Sequence, residues 1–137
     1  MRIFLLVLFI SLSLFGCKKD GNKSFPFKKD TFISTVKTSN GPQHLSLLLK
    51  FENNKVTLCE YSLSSQELKT FDCTLLNYSF EYLGNDKIKV DLEGMTGNSI
   101  GPFPRAREIK ETIIIDKESE RFTLKTFDFK KFVKPKN

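Results

Sequence analysis

The chain has 137 residues, 22 of them Lys or Arg and 16 Asp or Glu, for a formal net charge of +6. With 39% apolar and 28% charged residues it is neither a disordered acidic tail nor a multi-span membrane protein, and its length suits one domain. Fourteen Phe, three Tyr, no Trp, seven Gly and five Pro exclude collagen-like and low-complexity chains, and one His with three Cys leaves little for a metal site.

Arg2 precedes an apolar stretch, Ile3 to Phe15, broken only by Ser11 and Ser13. That stretch is shorter than the roughly 20 residues a membrane-crossing helix needs, and its length matches a signal-peptide core. It ends in Leu14-Phe15-Gly16-Cys17, which resembles a bacterial lipobox: Leu three before the Cys, a small residue just before it, then the Cys. Phe15 departs from the small or medium residue usual at its position. The resemblance implies that residues 1–16 are removed, that the Cys17 sulfur carries a diacylglycerol thioether, and that the freed amine can take a further acyl group such as palmitate. Two or three chains hold a protein stably, whereas one binds only marginally, at about 0.8 kcal/mol per buried methylene. The following Cys17-Lys18-Lys19-Asp20 resembles the start of outer-membrane and surface lipoproteins of Bacteroidetes. The expected location is therefore the cell envelope, lipid-anchored to the outer membrane on its periplasmic face or at the cell surface.

Removing Arg2 leaves 21 basic and 16 acidic residues, a net of +5. Residues 18–30 hold Lys18, Lys19, Lys23, Lys28 and Lys29. They read as a basic tether, either solvated or attracted to anionic headgroups at about 1 kcal/mol per cation. The domain plan is a signal peptide over 1–16, the lipidated Cys and tether over 17–30, and a folded domain over 31–134. Nucleic acid is not an expected partner, because an exported chain meets little of it and no binding motif is present.

From Thr31 onward apolar residues alternate instead of recurring at helical spacing, which predicts short β-strands. They span 31–38, 43–51, 55–62, 68–75, 77–83, 87–93, 108–116 and 121–129, with a further piece at 131–134. Glu52-Asn53-Asn54, Gly84-Asn85-Asp86 and Lys117-Glu118-Ser119-Glu120 have the composition of hairpin turns. Closing the turn at Asn85 sets Tyr82 against Ile88, Phe80 against Val90 and Tyr78 against Leu92 on one face. Closing the turn after Asp116 sets Ile115 against Phe122 and Ile113 against Leu124, and a turn at Asn53-Asn54 sets Phe51 against Val56 and Leu49 against Leu58. A short helical turn competes at Ser64-Ser65-Gln66-Glu67-Leu68, where Ser64 and Glu67 have capping-box spacing.

Such a meander closes into an all-β antiparallel barrel of about eight strands or folds as a β-sandwich. Three stretches carry a resemblance: Leu47-Leu48-Leu49-Lys50-Phe51-Glu52-Asn53-Asn54-Lys55-Val56, the run from Tyr78 to Ile88, and Phe122-Thr123-Leu124. Over residues 31–133 they are similar to small lipocalin-like lipoproteins of Bacteroidetes, which implies the barrel. The Gly-x-Trp hallmark of true lipocalins is missing, because the chain has no Trp.

With Cys17 lipidated, Cys59 and Cys73 remain, an even number in a compartment that permits disulfides. A hairpin centred on Gln66 places them directly opposite, about 4.5 to 5.5 Å apart at Cα, within disulfide reach. A structural bridge is the favoured reading over two buried thiols. Redox chemistry would need closer spacing or a cationic neighbour.

The longest connection, 94–107, holds Met95, Ile100 and Phe103 beside Arg105 and Arg107. It reads either as a lid or contact loop, its cations meeting a carboxylate or phosphate, or as a surface connection with solvated arginines. No catalytic set emerges. His44 has no second His or Cys nearby, and Glu52, Glu60, Glu67, Asp72, Glu81, Asp91 and Glu93 are scattered. No metal or cofactor is expected. The expected function is that of a non-enzymatic, lipid-anchored binding module for a small apolar ligand or an envelope partner. The alternative is a protein-binding inhibitor or immunity lipoprotein.

Overall fold

The computed structural model describes residues 24–34, 46–64 and 67–134. Its strands are β1 (Thr31–Ser34), β2 (Leu47–Phe51), β3 (Lys55–Ser64), β4 (Glu67–Gly84), β5 (Lys87–Met95), β6 (Glu108–Asp116), β7 (Arg121–Leu124) and β8 (Phe127–Lys131). Each pairs antiparallel with its neighbours in sequence, and β8 returns to β1 through Phe32↔Lys131, Ile33↔Lys130 and Ser34↔Phe129. That closure makes the molecule an all-β meander barrel, in agreement with the lipocalin-like expectation, and removes the sandwich alternative.

Turn chemistry sets the registers. Asn85 and Asp86 take positive φ in the turn after Gly84, and β4 pairs β5 with Tyr82↔Ile88, Phe80↔Val90 and Tyr78↔Leu92. The turn at Asn53-Asn54 gives Phe51↔Val56 and Leu49↔Leu58. Two expected strands, 68–75 and 77–83, are one continuous β4. The expected strand 121–129 is instead divided: Lys125, at positive φ, and Thr126 turn the chain between β7 and β8, pairing Phe122 with Phe129. Glu67 and Leu68 lie in β4, so no helical turn forms on that side of the β3–β4 connection.

The inward positions carry a continuous apolar core. Phe32, Leu49, Phe51, Val56, Leu58, Ile88, Val90, Ile113 and Ile115 expose essentially nothing to solvent. At the bottom of the barrel, where β1 begins and β2 ends, residues 24–30 are not an open tether. Phe25 and Phe27 are both buried. The Phe25 ring lies 5.0 Å from Phe51, 5.1 Å from Tyr78 and 5.2 Å from Phe80, while Phe27 meets Phe32 edge-on at 5.4 Å. Backbone bonds hold the plug in place: the Lys29 N–H donates to the Phe51 carbonyl and the Phe51 N–H to the Asp30 carbonyl. The Tyr82 hydroxyl also donates to the Ser24 carbonyl at 2.8 Å. Two aromatic rings flanking Pro26 are thus worth more inside the barrel mouth than in water.

A second, smaller cluster sits on the outer face, where Ile33, Leu48, Cys59 and Tyr61 are buried against Leu68 and Phe132. Cys59 and Cys73 are disulfide-bonded, with Cα atoms 4.2 Å apart. They are not directly opposite in the ladder. Leu58 pairs with Thr74 but Glu60 with Phe71, so Asp72 and Cys73 together face Cys59 in a β-bulge, with Asp72 at positive φ.

At the bottom turn 117–120, Asp116 accepts Lys87 Nζ at 2.7 Å and the N–H groups of Glu118 and Ser119. The Lys87 hydrogen bond, followed by the Ser119 N–H, holds its carboxyl down to about 2 from an ordinary 3.8. The folded-state value is the lower one, so this contribution is complete above the ordinary value and is lost as pH falls through about 2. An NMR titration of the Asp116 carboxyl should find its midpoint near 2, and Lys87→Ala should move it up toward 3.8. A midpoint near the ordinary value in the unaltered chain would contradict the pairing.

Candidate functional site

Three places can meet a ligand: the barrel interior, the top loop and the outer wall. The interior is occupied by side chains from every strand, with Phe25 and Phe27 closing its bottom. The top is closed by the long loop. Ile100 and Phe103 form a tight turn, each N–H donating to the other's carbonyl, and their side chains point into the core at 0% and 5% exposure. Thr96 organises the loop base: its hydroxyl donates to the Pro104 carbonyl at 2.6 Å and accepts the Arg107 N–H at 3.1 Å. Glu60 Oε1 takes the Gly101 N–H at 2.8 Å, fastening the loop to β3.

The loop residues singled out from sequence therefore separate. Ile100 and Phe103 are a stopper, whereas Met95, Arg105 and Arg107 face solvent. Met95 stands on the outer face of β5, where the β4–β5 register continues toward the exposed Leu75. Among the described residues, neither arginine makes a side-chain hydrogen bond or an ion pair. Cys17 and His44 lie outside the described residues.

The outer wall holds the feature that sequence reasoning missed. β6 pairs with β7 only at Asp116↔Arg121. Ile115 against Phe122 and Ile113 against Leu124 have the expected phase, yet the ladder stops before reaching them. At the top of this seam Glu111 occupies an inward position and is bound by Lys125 Nζ at 2.6 Å, with the same ammonium 5.9 Å from the centre of the Phe103 ring. A charged clasp thus replaces backbone pairing there. Over the seam lies an open groove of about 1120 Å³, lined by Thr112, Ile114, Asp116, Arg121, Thr123 and Asp128, among others. No single motif marks it, because these residues come from three strands and meet only through the register.

The candidate carboxylates do not converge. Glu60 is committed to the loop, Asp91 accepts the Thr112 hydroxyl at 2.6 Å, and Asp72 sits in the bulge. Among the described residues no three His, Cys, Asp or Glu side chains gather as a metal site, and no helix is long and apolar enough to cross a membrane. Burial lifts the Tyr61 hydroxyl above its ordinary value; it serves as a donor to the Ser34 carbonyl, 3.0 Å away. No protein-family model matches the chain, and no curated protein or solved structure matches it either.

Proposed function

We propose that the protein is a lipid-anchored envelope lipoprotein of the lipocalin-like kind found in Bacteroidetes, a non-enzymatic module that meets a protein partner on its outer surface. The observation that carries this reading is the packed barrel: apolar side chains fill nearly all the inward positions, Phe25 and Phe27 stopper one end and Ile100 and Phe103 the other. A lipocalin-like barrel that stores an apolar molecule needs a lined cavity. Here those positions are spent on one another, which favours a partner over an internal ligand, the inhibitor or immunity class included.

The anchor fits the same picture. Six residues lie between Cys17 and Ser24, and such a link, seven Cα-to-Cα steps, spans at most about 25 Å. The barrel bottom would sit close to the bilayer, with the β6–β7 groove rising along the side wall from the bottom turn 117–120 and the top loop at the far end. Radiolabelled palmitate should enter the full chain expressed in a Gram-negative host and be absent from Cys17→Ala, which should leave the membrane fraction. Equal labelling of both chains would sink the anchor. Titration with a fluorescent C16 fatty acid should reveal no saturable site; one-to-one binding that shifts the resonances of Phe32 or Ile113 would return the function to an internal ligand.

A further inference from the structure

We propose that the groove over the β6–β7 seam is a strand-accepting site, which takes an extended acidic segment of a partner protein alongside β6. This deepens the partner-binding reading above by naming the surface and the chemistry it selects.

The first argument is the backbone. β6 pairs with β5 along its whole length, from Met95↔Glu108 to Lys87↔Asp116. On its other side it has the single pair Asp116↔Arg121, whereas every other adjacent pair of strands shares at least three. Peptide groups of an antiparallel strand alternate between its two neighbours. The Arg107 carbonyl receives the Thr96 N–H on the β5 side, and the Asp116 carbonyl receives the Glu120 N–H on the β7 side. Counting back by twos from Asp116 turns the peptide groups of Ile114, Thr112 and Lys110 toward the seam, where no ladder receives them. An open strand edge is the feature that accepts an added strand.

Charge is the second argument. Arg121 and Lys130 are direct cross-strand partners on the outer face of β7 and β8. Like charges in that position repel, and among the described residues neither has an ion pair. Of the carboxylates nearby, Asp116 is paired with Lys87, whereas Asp128 accepts only the neutral Thr123 hydroxyl at 2.8 Å and keeps its charge. Lys87, Arg121 and Lys130 against Asp116 and Asp128 leave the groove lining one net positive charge. Ile114, 46% exposed, stands two residues from Thr112 on the same outer face and offers an apolar contact. An acidic extended segment answers all of these: backbone bonds to the edge, carboxylates on Arg121 and Lys130, and an apolar side chain over Ile114. A lipid headgroup would answer only the cations. The Lys125–Glu111 clasp shuts the top of the seam, so the added segment lies on the wall and does not enter the core.

The test uses the ¹⁵N-labelled full chain in phosphatidylcholine nanodiscs, titrated with a synthetic Glu-Thr-Val-Thr-Glu-Thr-Val-Thr-Glu peptide, whose Glu and Val share one strand face, and with its counterpart carrying Lys at each Glu position. The acidic peptide should give saturable shifts at Lys110, Thr112, Ile114, Arg121 and Lys130 and slow hydrogen exchange of the β6 edge amides. The Lys peptide should bind at least tenfold more weakly. Arg121→Glu with Lys130→Glu, both solvent-facing, should weaken the acidic peptide at least tenfold while leaving core resonances in place. Equal binding by that variant, or absence of shifts, would overturn the proposal. So would a response to phosphatidylglycerol nanodiscs through the same residues with none to the peptide. Shifts confined to residues 96–107 would overturn the groove but leave a partner-binding barrel standing, whereas saturable C16 binding inside the core would overturn that reading instead.

Discussion

Phe25→Ala should lower the stability of the folded chain by about 3 to 5 kcal/mol, the range for removing a buried ring whose surroundings cannot collapse. Its ring is a hub, in contact with Phe27, Phe51, Tyr78 and Phe80 and only 2% exposed. Truncation would leave the Phe51 and Tyr78 rings facing a void at the barrel bottom. Urea unfolding of both chains, followed by tyrosine fluorescence and circular dichroism, measures the difference. Phe25→Leu retains most of the apolar volume and should lose markedly less. A loss under about 1 kcal/mol, the size expected of a surface change, would show that residues 24–30 are a tether after all.

Removing the Cys59–Cys73 bridge should have an effect of similar size. It closes a loop with a sequence separation of 14, for which the chain-entropy account gives roughly 3 kcal/mol. Cys59→Ala with Cys73→Ala is the appropriate variant, since Cys59 is buried in the outer cluster and a Ser there would add an unpaired hydroxyl. The unfolding midpoint should fall by the same amount when the native chain is reduced and when the double variant is compared with oxidised protein. Reduction should also leave the variant unmoved. A native midpoint that ignores the reductant would mean that the bulge at Asp72 and Cys73 is held by packing alone.

Much of this barrel was legible because its turns announce themselves. Asn53-Asn54 and Gly84-Asn85-Asp86 tolerate the turn backbone, and once each is placed the alternating side chains leave one register that buries them. The β7–β8 turn was missed for the complementary reason: Lys125 and Thr126 have no turn chemistry. The signal was present in another form. Buried Phe122 and Leu124 are even-numbered while buried Phe127 and Phe129 are odd-numbered, and an unbroken strand cannot change parity. Phe25 and Phe27 lie in a stretch whose Lys and Pro give it the composition of a tether, although their spacing of two is itself the pattern of a buried edge. Cys59 and Cys73 were pairable by counting, yet a count assumes a straight ladder and could not foresee the bulge between them. The groove was least legible. Thr112, Ile114, Arg121 and Lys130 look like ordinary outward positions, and only the failure of β6 to pair with β7 gives them a common purpose.

The β8–β1 closure also dictates when the fold can form. β1 leaves the ribosome well before β8, so Phe32 must wait about 100 residues for Lys131, its partner across the closing seam. Contacts of such separation are the slow ones in folding, because the chain entropy they cost precedes any gain from the interface they complete. Partial chains can build the β3–β4 and β4–β5 hairpins but cannot close the cylinder. Until the final strand arrives, the apolar faces of β1 and β2 have no sealed interior to enter. Barrel closure thus comes after every other strand pairing of the described residues, and a chain whose β8 has yet to emerge is one that can still be threaded through a narrow channel.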